Sequence, residues 1–457
     1  MKTAPDSYEN KVLDPNMLEQ QAFIQQVVED LLKEARRLGA DAAEAAASQD
    51  AGLSVNVRLG ELETVEYTRD NNLGITVYFG KRKGSANTSD LSPQAIRETV
   101  GAACDIARYT TDDPYSGLAD AGLMAVDPPD LDLYHPWPID PAAAAEMAMR
   151  CEEAGRGYDA RIHNSEGASL NTVAGIHVYG NSQGFIGGYP SSRHSLSCAL
   201  IGRDDSGMQR DYWYGTARDP SRLTPAEEIG VTAAQRTLAR LGARRLPTQS
   251  APVIFRADVA PSLLRTFVGA IRGGALYRRA SFLLDMLDRQ IFPSFVRIHE
   301  NPLLRGGLSS SPFDNEGVAT SAKNLVSDGI LRSYVLDSYS ARKLGMQTTA
   351  NAGGVHNLAI ESGERGLSDL VREMDRGLVV TEMMGQGVNR VTGDFSRGAA
   401  GFWVEGGEIA YPVEEITIAG NLRDIFMGLS AVGNDTDIPG SVRTGSWLID
   451  QMTIAGD

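Results

Sequence analysis

Three glycine-rich segments in the second half of the chain carry polar and aromatic side chains at close spacing. Glycine lets a second backbone approach closely, so such a segment either forms a tight turn or offers main-chain hydrogen bonds to an extended peptide or a partner strand. The sequence leaves both interpretations open. The segments span residues 310–317, 350–357 and 392–398.

The third segment and its flank supply the candidates for peptide binding. Polar and aromatic groups on a strand flanked by glycines could pair with an extended peptide, and they could equally buttress a turn. The candidates are Asn389, Thr392, Asp394, Phe395 and Arg397.

A Gly-x-Ser-x-Gly motif over residues 180–184 matches the pattern of a serine hydrolase, with Ser182 as the nucleophile. That chemistry needs a sharp turn from a strand into a helix, which lifts the hydroxyl toward a base and an oxyanion hole. The following residues 185–190, Phe-Ile-Gly-Gly-Tyr-Pro, cannot continue as a helix. The motif therefore predicts a hairpin turn, and an independent hydrolase using Ser182 is the less favoured reading.

Metal-binding and nucleotide-binding motifs are not found in the sequence. His299-Glu300 lacks a second histidine at a metalloprotease spacing, because Leu303 and Leu304 occupy those positions and Pro302 disfavours a helix. The pattern Gly385-x-Gly387 lacks the third glycine of a dinucleotide fingerprint. The six histidines are scattered, so we expect no metal site and no cofactor in this chain.

Composition excludes several classes of function. With 43 Lys+Arg against 59 Asp+Glu, the net charge of −16 repels phosphate backbones, so direct nucleic-acid binding is disfavoured. No run of about 18 apolar residues occurs, and residues 1–6 lack the pattern of a signal peptide. We expect no membrane association and a cytoplasmic location, where Cys104, Cys151 and Cys198 stay reduced.

Periodicity predicts an α+β fold. Apolar residues at helical spacing predict a helix over residues 18–38, and Ser92-Pro93, Asp140-Pro141 and Thr224-Pro225 are typical helix starts, opening helices near 93–108, 141–154 and 225–241. Alternation over residues 53–59 and 75–79 predicts half-buried strands joined in antiparallel hairpins. These elements indicate an N-terminal two-layer α/β domain with an antiparallel sheet.

The second half begins with a strand over 252–255 and a helix whose apolar positions span 263–271, then becomes rich in glycine and short strands. This composition predicts a mainly-β C-terminal domain with a few helices. The break over residues 242–250 places the boundary between domains of residues 1–245 and 246–457.

Several long segments of the second half resemble the TldD/PmbA family of metalloproteases, also called modulators of DNA gyrase, and specifically its PmbA (TldE) branch. The segments cover most of residues 252–422. They read Val-Gly-Ala-Ile-Arg-Gly-Gly over 268–274, Leu-Tyr-Arg-Arg over 276–279, Pro-Phe-Asp-Asn-Glu-Gly-Val over 312–318, Asp-Gly-Ile-Leu over 328–331, Tyr-Ser-Ala-Arg-Lys-Leu-Gly over 339–345 and Val-Thr-Gly-Asp-Phe-Ser-Arg-Gly over 391–398.

The resemblance implies a heterodimer in which a TldD-type chain and a PmbA/TldE-type chain enclose a chamber for unfolded peptides. It links the family to maturation of peptide antibiotics, to antitoxin turnover and, by older naming, to modulation of DNA gyrase. TldD-type chains carry His-Glu-x-x-x-His on the helix that matches residues 259–272, and a later cysteine completes their zinc site.

In this sequence the motif positions hold Arg265, Thr266 and Ala270, and no cysteine follows Cys198. Arginine offers no lone pair, alanine has no ligand atom and threonine is too weak a base. The resemblance therefore implies a non-catalytic subunit that completes the substrate chamber, with zinc in the TldD-type partner. An isolated chain could form a homodimer through the same surface. The alternative is a stand-alone regulatory binding protein that modulates DNA gyrase.

Overall fold

The computed structural model describes residues 15–456, which form a mixed α+β fold with mainly antiparallel sheets. Residues 1–6, to which the signal-peptide expectation applies, lie outside the described residues. The helices are α1 Pro15–Arg37, α2 Pro93–Tyr109, α3 Pro141–Arg156, α4 Ala226–Ala239, α5 Pro261–Ile271, α6 Gly273–Tyr277, α7 Ser338–Leu344, α8 Leu367–Met374 and α9 Leu422–Met427.

The strands form three sheets. The strands are β1 Ala42–Arg58, β2 Glu61–Phe79, β3 Arg82–Thr88, β4 Ile162–Asn181, β5 Ile186–Asp204, β6 Gly207–Ala217, β7 Gln249–Phe255, β8 Ile298–Glu300, β9 Lys323–Ser327, β10 Ile330–Leu331, β11 Leu358–Ile360, β12 Gly377–Met384, β13 Asp394–Glu405, β14 Glu408–Asn421, β15 Leu429–Val432, β16 Val442–Arg443 and β17 Trp447–Ala455. The first sheet has the order β3-β2-β1-β4-β5-β6, the second β10-β9-β8-β11-β16, and the third β14-β13-β12-β7-β17-β15.

The chain forms two compact units that do not follow its order in sequence. The first comprises the residues up to Ala51 together with Arg69–Leu118 and Ala174–Ser191, and the second comprises Gly52–Thr68, Ala119–Val173 and Ser192–Asp457. Strands β1, β2, β4 and β5 are long and supply residues to both units. The boundary expected between residues 245 and 246 lies inside the second unit and stays a prediction.

The first unit packs helices on a sheet. Helix α1 buries Ile24, Val28 and Leu31, as its spacing predicts. Helix α2 begins as expected, because Pro93 occupies its first turn and the Ser92 hydroxyl accepts a hydrogen bond from Ala95 N at 3.3 Å. Strands β2 and β3 pair as an antiparallel hairpin from Leu73↔Thr88 to Phe79↔Arg82.

The second unit contains helices α3 and α4, which pack closely against each other. Asp140 caps α3 by accepting a hydrogen bond from Ala143 N at 2.8 Å, as predicted. The predicted cap of α4 is wrong, since α4 begins at Ala226 after Pro225 and has no side-chain cap. The helices approach so closely that a Cβ at Gly230 would lie 1.9 Å from the carbonyl oxygen of Cys151.

The largest core also belongs to the second unit and lies around α5. Strand β7 pairs parallel with β12 and antiparallel with β17, and β14 also pairs with β17, which curls the third sheet toward closure. Phe267 of α5 is fully buried, with its ring 5.5 Å from that of Phe292 and 6.1 Å from that of Phe426 between centroids. This packing fixes the rotation of α5 and so determines which of its side chains reach the surface.

No helix in the described part of the chain is both long enough and apolar enough to cross a membrane.

Candidate functional site

Helix α5 carries the three positions at which the family resemblance expects metal chemistry. Arg265 is exposed, Ala270 is fully buried, and the Thr266 hydroxyl donates a hydrogen bond to the Ser262 carbonyl at 2.9 Å. Zinc requires imidazole, thiolate or carboxylate ligands, and none of these three side chains provides one. The donor set at this helix therefore does not fit zinc.

Elsewhere between residues 15 and 456, the structure contains no group of three or more His, Cys, Asp or Glu side chains placed to hold a metal ion. The three cysteines are buried, and burial raises the pKa of the Cys104 thiol. Hydrogen bonding to Cys198 and burial also raise the pKa of the Cys151 thiol. The raised pKa values keep the Cys104 and Cys151 sulfurs as thiols, which are poor metal ligands and poor nucleophiles.

A cleft of about 270 Å³ lies beside Arg265 within the second unit, and we call it the tyrosine cleft. Its walls come from β6, α4, the start of α5, β12 and β13. The side chains that line it include Tyr212, Tyr214, Arg236, Arg240, Asp258, Arg265, Glu382 and Arg397.

Aromatic side chains of β6 form one wall of the tyrosine cleft. The rings of Tyr212 and Tyr214 stack at 6.3 Å between centroids, and the Tyr214 hydroxyl donates to the Pro439 carbonyl at 2.8 Å. Tyr212 is 48% exposed, and β6 is the edge strand of its sheet. The exposed ring offers an apolar contact to an extended segment, and Tyr212 N already donates to Asp211 Oδ1 at 2.7 Å. Sequence reasoning missed these residues, although the run Tyr212-Trp213-Tyr214 was a visible signal.

The acidic groups of the tyrosine cleft are all neutralised by arginines. Arg236 donates hydrogen bonds to Asp211 at 3.2 Å and to Asp258 at 2.8 Å. Arg256 donates to both carboxylate oxygens of Asp258, each at 2.7 Å. Arg240 pairs with Glu382. Burial alone would raise the pKa of Asp258, but hydrogen bonding and charge from Arg256 and Arg236 outweigh burial and hold it below its ordinary value of 3.8.

Arg397 and Arg265 are the unneutralised cations of the tyrosine cleft. The Nε atom of Arg397 is buried and has no hydrogen-bond partner within residues 15–456, while Nη2 lies 3.5 Å from the Met383 carbonyl. Burial lowers the pKa of this guanidinium. Arg265 makes no ion pair with the described residues. Two cations without counter-charges give the cleft a positive potential that suits an anionic or carbonyl-bearing ligand.

The remaining candidates for peptide binding lie in the turn before β13. Asn389 Oδ1 accepts from Val391 N at 2.9 Å, and the Thr392 hydroxyl donates to Asp394 Oδ2 at 2.6 Å. Asn421 Nδ2 reaches Asp394 Oδ1 at 3.3 Å. These contacts match the interpretation that the residues buttress a turn, although the side chains of Asn389, Thr392 and Asp394 are exposed. The expectation for Phe395 needs correction, because its ring is 2% exposed in the hydrophobic core and offers no surface to a peptide.

Ser182 and His299 lie outside the site. Residues 181–185 form the predicted hairpin turn, in which Asn181 N donates to the Phe185 carbonyl at 2.9 Å and Ser182 Oγ accepts from Ala43 N at 3.0 Å. His299 lies on strand β8, so the sequence was right to disfavour a helix there.

We expect Asp258→Asn to lower the free energy of unfolding at pH 7 by about 2–3 kcal/mol, because it leaves Arg256 without its counter-charge and Arg236 with Asp211 alone. Since the native pKa of Asp258 is depressed, its contribution is complete above pH 3.8 and declines as the pH falls toward the native pKa. The difference from the wild type should therefore shrink below about pH 4 in urea titrations.

The matched control for that substitution is Asp288→Asn, which removes an exposed ion pair with Arg332 at 2.9 Å. It should change stability by less than about 1 kcal/mol. A difference for Asp258→Asn that grows toward acid would contradict the assigned direction of the pKa shift.

Comparison with known proteins connects this geometry to one family. Models of the PmbA/TldA metallopeptidases match residues 43–107 with domain 1, 134–241 with the central domain and 248–456 with the C-terminal domain. Metalloprotease PmbA of Escherichia coli O157:H7 is 52% identical over 416 residues, which cover 91% of this chain and 92% of that protein.

Two solved structures are also similar. A protein from Bacteroides thetaiotaomicron, described as a modulator of DNA gyrase, superposes with a TM-score of 0.90 at 28% identity and covers 95% of this chain and 99% of its own. TldE from Thermococcus kodakarensis gives a TM-score of 0.81 at 22% identity over 94% and 100% of the two chains, and this likeness bears on the fold alone.

Proposed function

The chain belongs to the PmbA/TldD metallopeptidase family, and from that premise we propose that it is the metal-free, PmbA/TldE-type subunit of a two-chain protease. Its partner is a TldD-type chain that carries zinc, and the pair cleaves unfolded peptides. Maturation of peptide antibiotics and turnover of antitoxins are the processes in which we place it. The protein works in the cytoplasm, and the isolated chain forms a homodimer only when its partner is absent.

The observation that carries this proposal is the side-chain set on α5. A guanidinium, a hydroxyl engaged with Ser262 and a buried methyl group occupy the positions where a zinc peptidase needs two imidazoles and a carboxylate. Zinc, when bound, acidifies its water and so supplies the nucleophile. We infer that this chain completes the substrate chamber and contributes by binding and orienting the peptide.

The tyrosine cleft offers the groups for that task. An extended peptide lying in the tyrosine cleft would contact the exposed ring of Tyr212 and the guanidinium of Arg397, which has no counter-charge among the described residues. Holding a peptide extended presents its backbone to the partner and lowers the entropic cost of reaching the reactive geometry. The turn containing Asn389, Thr392 and Asp394 supports the strand that carries Arg397.

The metal content of the separate chains tests the proposal. After equilibration with zinc and removal of free metal, we expect under about 0.1 zinc per copy of this chain and about one per copy of the TldD-type chain. Elemental analysis of both purified proteins measures this. Stoichiometric zinc retained by this chain would overturn the assignment of a metal-free subunit.

A regulatory protein that acts on DNA gyrase is the second candidate function, because the Bacteroides thetaiotaomicron protein at 28% identity is described as a gyrase modulator. Partner choice separates the two. Recovery of a chain with His-Glu-x-x-x-His in equal amount from cells supports the protease subunit, whereas recovery of topoisomerase components alone supports the regulator.

A further inference from the structure

A second cleft, which we call the arginine cleft, lies along the other side of Arg265 within the second unit. It has a volume of about 580 Å³ and is bordered by α5, α6 and the loop around Gly353 and Gly354. Four of its lining residues are Arg265, Arg272, Arg278 and Arg390. One carboxylate, that of Asp337, lies among the described residues of its lining.

The four arginines have no counter-charge in the described part of the chain. Arg265, Arg272 and Arg390 form neither an ion pair nor a side-chain hydrogen bond with residues 15–456, and the Arg278 guanidinium contacts only the Tyr277 hydroxyl at 3.2 Å and the face of that ring. Asp337 caps α7, with its Oδ1 accepting from Ser340 N at 2.7 Å, and its single negative charge offsets at most one of the four arginines.

This local excess of positive charge contrasts with the rest of the molecule. The chain has 59 acidic against 43 basic residues, and several exposed arginines elsewhere in the second unit are paired, as in Arg297 with Asp328 at 3.0 Å and Arg332 with Asp288 at 2.9 Å. Unpaired cations gathered in one concave site of an acidic protein attract a compact anion through their local potential.

Two glycines keep space for the guanidinium groups. A Cβ at Gly269 would lie 3.3 Å from Arg390 Nε, and a Cβ at Gly274 would lie 3.3 Å from Arg278 Nη2. Glycine inside a helix costs roughly 1 kcal/mol relative to alanine, and Gly269 lies inside α5. The absence of a Cβ at Gly269 and Gly274 lets the side chains of Arg390 and Arg278 lie close to the backbone of α5 and α6.

We propose that the arginine cleft binds carboxylate groups of an acidic peptide, a substrate preference that rests on the proposed function. The planar fork of arginine donates two parallel hydrogen bonds to a carboxylate, and four such forks suit two or more carboxylates. These come from acidic side chains or from the free C-terminus. A nucleic acid is disfavoured, because the net charge of −16 repels a long phosphate backbone.

Binding of short fluorescent peptides to this chain alone tests the proposal by anisotropy. The peptides are unstructured and contain either adjacent glutamates or glutamines, each with a free or an amidated C-terminus. We expect the glutamate peptide to bind at least about tenfold more tightly than the glutamine peptide, a difference of about 1.4 kcal/mol, and to weaken with added salt. Loss of binding on amidation assigns the contact to the α-carboxylate, and persistence assigns it to the side chains.

Variants locate the effect in the arginine cleft. Arg390→Gln and Arg278→Gln should each weaken binding of the glutamate peptide by about tenfold and leave the glutamine peptide unchanged. The matched control is Arg297→Gln, which removes an exposed arginine outside the cleft and should alter neither peptide's affinity.

Equal affinity for all four peptides, with free and amidated C-termini alike, or a preference that survives both cleft variants, overturns the proposal. Binding of inorganic phosphate with no preference among peptides also overturns it and indicates a phosphate site. A second measurement separates this proposal from the proposed function. If this chain mixed with its TldD-type partner does not cleave the glutamine peptide, the protease assignment is wrong, because that cleavage does not require the arginine cleft. If the mixture cleaves the glutamine peptide but this chain shows no preference for carboxylates, only the role of the arginine cleft is wrong.

Discussion

Replacing Glu300 by glutamine is expected to lower the free energy of unfolding by about 3–5 kcal/mol, the usual cost of removing one member of a buried ion pair. Glu300 is 1% exposed on strand β8. Its Oε1 accepts from Asn351 Nδ2 at 2.8 Å and from Lys323 Nζ at 3.0 Å, and its Oε2 accepts from His356 N at 2.7 Å.

The substitution is severe although glutamine has the same shape. Lys323 would lose its counter-charge while only 19% of its side chain is exposed, so water could not fully replace the carboxylate. The amide NH₂ of glutamine would also face a donor, either Asn351 Nδ2 or His356 N, and one of them would lose its acceptor. These donors lie in the loop that borders the arginine cleft, so binding of the acidic peptide should weaken as well.

Urea titration of the wild type and the variant measures this effect through the midpoint and the slope. The matched control is Glu361→Gln, since Glu361 is exposed and its Oε2 lies 3.8 Å from Arg297 Nη1 in a loose ion pair. The control should change stability by less than about 1 kcal/mol. A loss for Glu300→Gln no larger than that of the control would show that the buried network does not stabilise the second unit.

Local signals in the sequence predicted much of the fold. Ser92-Pro93 and Asp140-Pro141 begin helices because the capping oxygen and the fixed φ of proline act within a single turn. Thr224 failed as a cap because α4 starts at Ala226, one residue beyond the predicted first position. The interleaving of distant segments in the two units had no comparable signal, since it depends on long strands that serve both.

The candidate site was predicted less completely, because it too depends on the packing of segments that are distant in sequence. Arg265 and Arg397 were both named from the sequence, but their positions beside one cleft depend on the packing of α5 against β12 and β13. Phe395 was misassigned because the sequence pattern of an aromatic residue beside glycines is the same whether the ring lies in a core or on a surface. Arg390 lies more than a hundred residues from Arg272 and Arg278 in sequence. The only sequence signal that bulky side chains pack against α5 and α6 was the pair of glycines, Gly269 and Gly274.

The second large effect concerns activity, which we expect only when this chain is combined with its TldD-type partner. Zinc lowers the pKa of bound water from about 16 to about 7, and the residues on α5 of this chain cannot hold the metal that provides this activation. The partner alone would lack the peptide-binding clefts described above. The mixture should therefore exceed the summed rates of the separate chains by at least about 100-fold, or roughly 2.7 kcal/mol.

The most direct measurement is cleavage of a fluorogenic unstructured peptide by the purified chain, by a TldD-type partner that carries His-Glu-x-x-x-His, and by their mixture, each with and without a zinc chelator. We predict turnover in the mixture alone, abolished by the chelator and restored by added zinc. Chelator-sensitive turnover by this chain without its partner would mean that it assembles a metal site of its own, and would contradict its assignment as the non-catalytic subunit.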